Sequence, residues 1–239
     1  FLIYFLMPSQ CTTSVLPVCD QVCLLNVEDC TKVIEFIEGA AWYLESVFSD
    51  EECDALIEEC SVYHADIQYG LSYCTKSCFD DDNMANRVQK KIIQAFDHYD
   101  PSKSYRSDAL TIETEQFEMF KKELKLSEQF TMNQLKELSL IEQLRFIKYP
   151  SGGYIGPHTD GVRVCPKTFR ATNLTMIVYL SDSETGETIF LRGDKSNPSS
   201  HCRVQPVKGS VLLFQHHLLH MGDGVGKEGK ILLRGDIVV

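Results

Sequence analysis

The hydrophobic rhythm of the chain changes near residue 142. Before it, apolar positions recur at helical spacing. Cys53, Leu56, Ile57 and Cys60 follow Ser49-Asp50-Glu51-Glu52, a Ser-x-x-Glu capping box, so one amphipathic helix starts there. Met84, Val88, Ile92 and Phe96 stand four apart and predict a helix over 82–98, closed by the breaker run Tyr99-Asp100-Pro101-Ser102. Residues 28–37 read as a further helix ending at Gly39, and 41–48 as a strand with Trp42 and Leu44 on one side. Two shorter helices fall within 114–125 and 131–139, where Phe117, Phe120 and Leu124 share a face. Such stripes are what helices that buttress a sheet present to it.

From Glu142 onward the runs become short and strand-like, punctuated by Gly, Pro, Asn and Asp. They cover 143–149, 153–158, 172–180, 187–191, 202–207, 210–214, 217–221 and 229–238. Eight short strands in this span suit a jelly-roll barrel, in which two sheets fold face to face. The predicted class is α+β, mainly β. Residues 1–25 read as an extension and 26–239 as one domain, with a helical, sheet-supporting part (26–141) and a barrel core (142–239). No internal repeat or low-complexity segment appears.

Composition narrows the function classes. A chain of 239 residues with 44% hydrophobic and 24% charged content is an ordinary globular protein able to bury a sizeable core. Its net charge of -11 argues against a nucleic-acid partner, since basic residues cluster only at Lys90-Lys91 and Lys121-Lys122. Of the ten cysteines, eight precede residue 80, and their spacing is not that of a zinc site. Cys53 and Cys60 lie on an apolar helical face, where reduced, packed thiols are expected. The opening Phe1-Leu2-Ile3-Tyr4-Phe5-Leu6 has the look of a signal-peptide remnant but no basic flank, and it is too short to span a bilayer. The compartment stays open between the cytoplasm and, if those six residues are such a remnant, the secretory pathway.

The chemistry concentrates in the second half. Gly156-Pro157-His158-Thr159-Asp160 is answered by His220 and then Lys230. A His-x-Asp pair with one distant His offers two imidazoles and one carboxylate, a set that occupies one face of an octahedral iron and leaves positions open for catalysis. In an extended segment alternate side chains share a face, so His158 and Asp160 reach one ion while Thr159 points elsewhere. His216 and His217 are rivals for the distal position, with Lys227 standing ten residues after His217 as Lys230 does after His220. His220 is preferred because Gly222 completes a His-x-Gly phrase, and Lys230 because it opens the last strand. His64, His98 and His201 are expected to be ordinary surface or core residues.

These phrases, in this order, resemble the iron- and 2-oxoglutarate-dependent dioxygenases in their prolyl 4-hydroxylase-like branch. The likeness rests on Tyr149 to Asp160, Leu174 to Leu180, Gly186 to Leu191, Lys208 to Phe214, His220-Met221-Gly222 and Lys230 to Asp236, and covers roughly residues 142–239. It implies a double-stranded β-helix and His158, Asp160 and His220 as metal ligands. It further implies Fe(II), 2-oxoglutarate and O2 as cofactor and cosubstrates, with ascorbate as a reductant. The expected reaction hydroxylates a prolyl residue in a peptide or protein while 2-oxoglutarate is decarboxylated to succinate and CO2. Burying the far carboxylate of 2-oxoglutarate is costly without a cation and donors. Lys230 is the expected cation, and Tyr149 and Tyr179 occupy the family's positions for phenolic donors. Arg234 shares a strand face with Lys230 and is expected to meet either cosubstrate or substrate. The loop 161–172, with Arg163, Lys167 and Arg170, and the segment 62–83 are candidate walls of the substrate groove, Arg163 and Arg170 being the substrate contacts expected.

Other readings are a hydroxylase of a free amino acid or other small molecule, and a noncatalytic binding or sensing module on the same barrel. Loss of ligand or counter-cation positions would favour the second, and all are present. A nucleic-acid demethylase of the AlkB type would grip its cosubstrate through Arg and need a basic groove, which this acidic chain lacks. Arg234-Gly235-Asp236 spells an adhesion triplet but sits in an apolar strand, and Gly222-x-Gly224-x-Gly226 has neither the Lys-Ser/Thr nor the helix of a phosphate loop.

Overall fold

The protein is described from a computed structural model covering residues 31–100, 107–112, 117–118, 121, 129–192 and 199–239. The extension expected over 1–25 lies outside the described residues, as does most of the helix expected within 114–125.

A β-hairpin comes first. β1 (Lys32–Ile37) pairs antiparallel with β2 (Ala41–Glu45) across a turn in which Gly39 takes φ +63°. The helix read over 28–37 is therefore corrected: its described part is a strand. Val33, Ile34, Phe36 and Ile37 are β-branched or aromatic and are buried on both faces, so sheet pairing outweighs the helical reading. β2 ends earlier than the strand read over 41–48, because Ser46 turns the chain with φ 55°.

α1 (Asp50–Cys60) starts on the predicted capping box. Ser49 accepts from the Glu52 amide, and the Glu52 carboxylate accepts from the Ser49 amide. After β3 (Asp66–Gln68) and β4 (Ser72–Asp80) comes α2 (Asp82–Asp97), capped by the Asp81 side chain accepting from the Met84 amide. β5 (Leu110–Ile112) and the single-turn α3 (Met132–Leu135) follow, then β6 (Ser139–Leu140). The barrel strands are β7 (Gln143–Tyr149), β8 (Tyr154–His158), β9 (Leu174–Tyr179), β10 (Thr188–Arg192), β11 (Ser199–Val204), β12 (Val211–Gln215), β13 (His220–Gly222) and β14 (Lys230–Val238). All eight strands expected after residue 142 are present. β11 begins and ends three residues earlier than read, and β13 starts three residues later, because the chain turns at His216 and His217.

The strands follow one curled path, β1-β2-β12-β9-β14-β7-β4-β8-β13-β10-β11-β5. β4 makes the corner: Thr75 to Asp80 pair with β7, while Ser72 and Tyr73 pair with β8. The result is the expected mainly-β jelly roll, with β8, β13, β10 and β11 forming the smaller sheet. Strand alternation splits the apolar residues into two cores. Leu144, Phe146, Met176, Val178, Leu213 and Leu233 face outward onto α1 and α2. Tyr149, Ile147, Ile177, Tyr179, Leu212 and Leu232 face the barrel interior. Burying each such side chain contributes about 1.5–3 kcal/mol. The helices thus seal one face of the larger sheet and leave the other to line a cavity.

All six described cysteines are free, five of them buried. No helix among the described residues is long and apolar enough to cross a membrane.

Candidate active site

His158 ends β8 and His220 opens β13, and the two are registered partners across the strand pair, their ring centroids 4.2 Å apart. Asp160 lies two residues past the end of β8, so alternation within a strand does not place it. Its amide donates to the His216 carbonyl (2.8 Å), which pins the turn. One ligand atom from each of His158, Asp160 and His220 lies within 4.8 Å of the others. The Nε2 atoms of the two rings stand 3.8 and 3.7 Å from the Asp160 carboxylate oxygens.

The hydrogen bonds identify the tautomers. Nδ1 of His158 meets the Gly156 carbonyl and Nδ1 of His220 the Leu218 carbonyl, each at 2.8 Å. A carbonyl only accepts, so each Nδ1 carries the hydrogen and each Nε2 of the neutral ring offers its lone pair to the shared centre. Burial holds His220 well below the usual imidazole range, with His158 adding to the effect and Asp160 opposing it. The donor set of two neutral imidazoles and one carboxylate fits a divalent ion of the iron type. Asp160 is held from behind: Thr175 donates to Oδ2 (2.5 Å) and Arg234 lies 2.7 Å from Oδ1.

A cavity of about 470 Å³ runs past this cluster. At one end stands Lys230, buried, its Nζ donating to the carbonyl of Gly186 (2.5 Å) and lying 4.6 Å from the centre of the Tyr149 ring. No carboxylate among the described residues pairs with it. Desolvation pulls the ammonium down to about 8, against the opposing pull of Asp223, Cys74 and Glu187. Gly222 keeps space there, since a Cβ on it would lie 3.6 Å from Lys230 Nζ and 2.9 Å from Ile155. Tyr149 lines the cavity, and burial pushes its phenol upward. Tyr179 does not line it: its hydroxyl shares a 2.7 Å hydrogen bond with Thr188, and Thr188 faces the cavity instead.

At the other end, Asp236 is fully buried and gathers three guanidiniums. Arg145 and Arg163 approach its Oδ2 at 3.0 and 3.1 Å, and Arg234 its Oδ1 at 3.3 Å. The Arg234-Gly235-Asp236 triplet is therefore part of the barrel interior and is not available for adhesion. Of the expected groove walls, Gly161, Val162 and Arg163 line the cavity, as do Gln68, Ser72, Cys74 and Lys76. Arg170 does not; it turns away to the Val239 carbonyl (2.6 Å). Lys167 also points outward, onto Asp82 and Glu142. His217 and Lys227, the rivals for ligand and cation, are exposed. Thr188, Thr175, Arg145 and Asp236 were not singled out from the sequence. The strand pattern alone carried a signal for two of them, since Arg145 alternates with Tyr149 and Asp236 with Lys230.

Residues 144–234 match the sequence model of the 2OG-Fe(II) oxygenase superfamily. No curated protein matches the chain. Among solved structures, a prolyl-4-hydroxylase from Pseudomonas putida is similar over 84% of this chain and 92% of its own, at 17% identity and a TM-score of 0.51. The epimerase SnoN of nogalamycin biosynthesis is similar over 84% of this chain and 78% of its own (13% identity, TM-score 0.53). OsALKBH1 is similar over 86% and 99% (11% identity, TM-score 0.52). Identities this low establish a common fold. The family match covers residues 144–234, less than half of the chain, and the His158–Asp160–His220 cluster within that span suits a site that works with Fe(II), 2-oxoglutarate and O2.

Proposed function

We propose that the protein hydroxylates a prolyl residue in a peptide or protein, with His158, Asp160 and His220 holding the ferrous ion. When bound, iron would activate O2, the oxidant, with one oxygen atom going to the prolyl carbon and the other to the succinate formed as 2-oxoglutarate is oxidised and loses CO2. Lys230 takes the far carboxylate of 2-oxoglutarate, with Tyr149 and Thr188 as neighbours that enclose it. This assignment rests on one observation above all: Lys230 is a buried ammonium with no carboxylate partner among the described residues, and an isolated buried charge is costly until an anion meets it. Thr175 and Arg234 orient Asp160, and the apolar walls of Ile147, Ile155, Ile177 and Leu232 exclude water.

The peptide reading draws support from the rim of the cavity. Tyr69 and Leu71 are exposed between the lining residues Gln68 and Ser72, and Tyr154 is exposed beside the lining residue Ile155. Tyr69 stacks on Tyr73 at 5.7 Å, and Tyr154 donates to the Gly70 carbonyl, so the rim is an ordered aromatic strip. Exposed aromatics beside a cleft suit an extended, proline-containing chain. The test loads the protein with Fe(II) and 2-oxoglutarate without O2, then admits O2 with prolyl peptides or free amino acids. A prolyl peptide is expected to stimulate succinate release and gain one oxygen atom. Stimulation by a free metabolite alone overturns the peptide reading.

A further inference from the structure

The cavity carries more positive charge than its two expected occupants use. Lys76, Arg145, Arg163, Lys230 and Arg234 line it, whereas its carboxylates are Asp160 in the wall and Asp236 behind it. Ferrous ion and a dicarboxylate cancel one another, so an excess of three positive charges remains, inside a protein whose net charge is -11. The excess is not at the cosubstrate end. Tyr149 pairs with Lys230 across β7 and β14, and Arg145 pairs with Arg234 four residues along the same ladder, about 13 Å away. The His158–Asp160–His220 cluster adjoins Arg234, so 2-oxoglutarate reaching from Lys230 to that cluster stops short of Arg145 and Arg163.

Arg145 is 7% exposed, and its Nη1 is buried without a hydrogen-bond partner among the described residues, while its Nη2 holds Asp236. Leaving such a charged donor unsatisfied is costly until an acceptor arrives. Arg163 comes from the loop that follows Asp160 and reaches the same Asp236 oxygen. One buried carboxylate thus fixes two guanidiniums side by side, a geometry suited to a second, incoming carboxylate.

We propose that the substrate presents a carboxylate to Arg145 and Arg163, on the far side of the metal cluster from Lys230. The proposal rests on the hydroxylase reading above. The carboxylate belongs either to an acidic residue flanking the hydroxylated proline or to a free amino acid, and one experiment separates the two. Protein loaded with Mn(II) and 2-oxoglutarate is titrated calorimetrically with matched pairs: prolyl peptides with Asp or Asn beside the proline, and L-proline or L-prolinamide. The acidic member is expected to bind at least tenfold more tightly than its neutral partner in whichever pair binds. That preference is expected to shrink at least fivefold in Arg163→Gln, whose half-exposed side chain is replaceable without loss of fold, and in Arg145→Gln if that variant folds. Preference within the peptide pair assigns the carboxylate to a peptide, and preference within the proline pair alone to a free amino acid. Equal affinities, or no binding by either acidic member at millimolar concentration, overturn the proposal while the oxygenase reading stands. Failure of 2-oxoglutarate itself to bind overturns both.

Discussion

The two ends of the β7–β14 ladder treat positive charge in opposite ways. At the Lys230 end a single ammonium is buried against a tyrosine ring and a backbone carbonyl, with no ion-pair partner among the described residues. At the Asp236 end three guanidiniums converge on one buried carboxylate. The Lys230 end is costly until a ligand arrives, and the Asp236 end is already held by its own carboxylate. The difference separates a charge kept for binding from charges kept in place by structure, with one arginine nitrogen to spare. Arg234, one of the three, is tied to both Asp160 and Asp236 and so couples the His158–Asp160–His220 cluster to the Asp236 end.

The comparison can be broken by four changes of decreasing size. Asp160→Asn removes the anionic ligand proposed for the metal and is expected to lower substrate-stimulated succinate release by roughly a thousandfold or more; turnover within tenfold of the parent contradicts the site. Asp236→Asn leaves the guanidiniums without their hub, and chemical denaturation should register a loss of about 3–5 kcal/mol. Lys230→Ala should weaken 2-oxoglutarate binding by about 2–4 kcal/mol while the metal still binds; unchanged affinity moves the cosubstrate grip to Arg234. The smallest change is in pH. Because desolvation brings Lys230 down to about 8, its ammonium is lost above that pH, and 2-oxoglutarate affinity should be level below it and fall about tenfold per unit above it. The sign follows from the dicarboxylate binding the protonated form; affinity that is flat to pH 9.5, or rises, excludes Lys230 as the partner.

The barrel was legible because its strands are short, alternating and bounded by turn residues, and the His-x-Asp phrase, weak by itself, stood out through the Tyr-rich hairpin before it and the distant His220 and Lys230 after it. β1 was not legible: Lys32–Ile37 is apolar on both faces, and a short apolar run carries no period that separates strand from helix. β4 was missed as a strand because Ser72–Asp80 is rich in Ser, Thr, Cys and Lys, and it is a strand because β7 and β8 both need a partner at the corner. Position on a strand face located Lys230, Tyr149 and Arg234, but could not show that Tyr179 spends its hydroxyl on Thr188. Nor could it bring Arg163, from a loop, and Arg145, from β7, to one aspartate, because that contact exists only once the sheet has curled.

The account turns on His158, Asp160 and His220 sharing one ion. Anaerobic Mn(II) titration of the parent chain, His220→Ala and His217→Ala tests that most directly. One ion per chain in the parent and in His217→Ala, with affinity lost in His220→Ala, is the predicted result; binding kept by His220→Ala and lost by His217→Ala would contradict it.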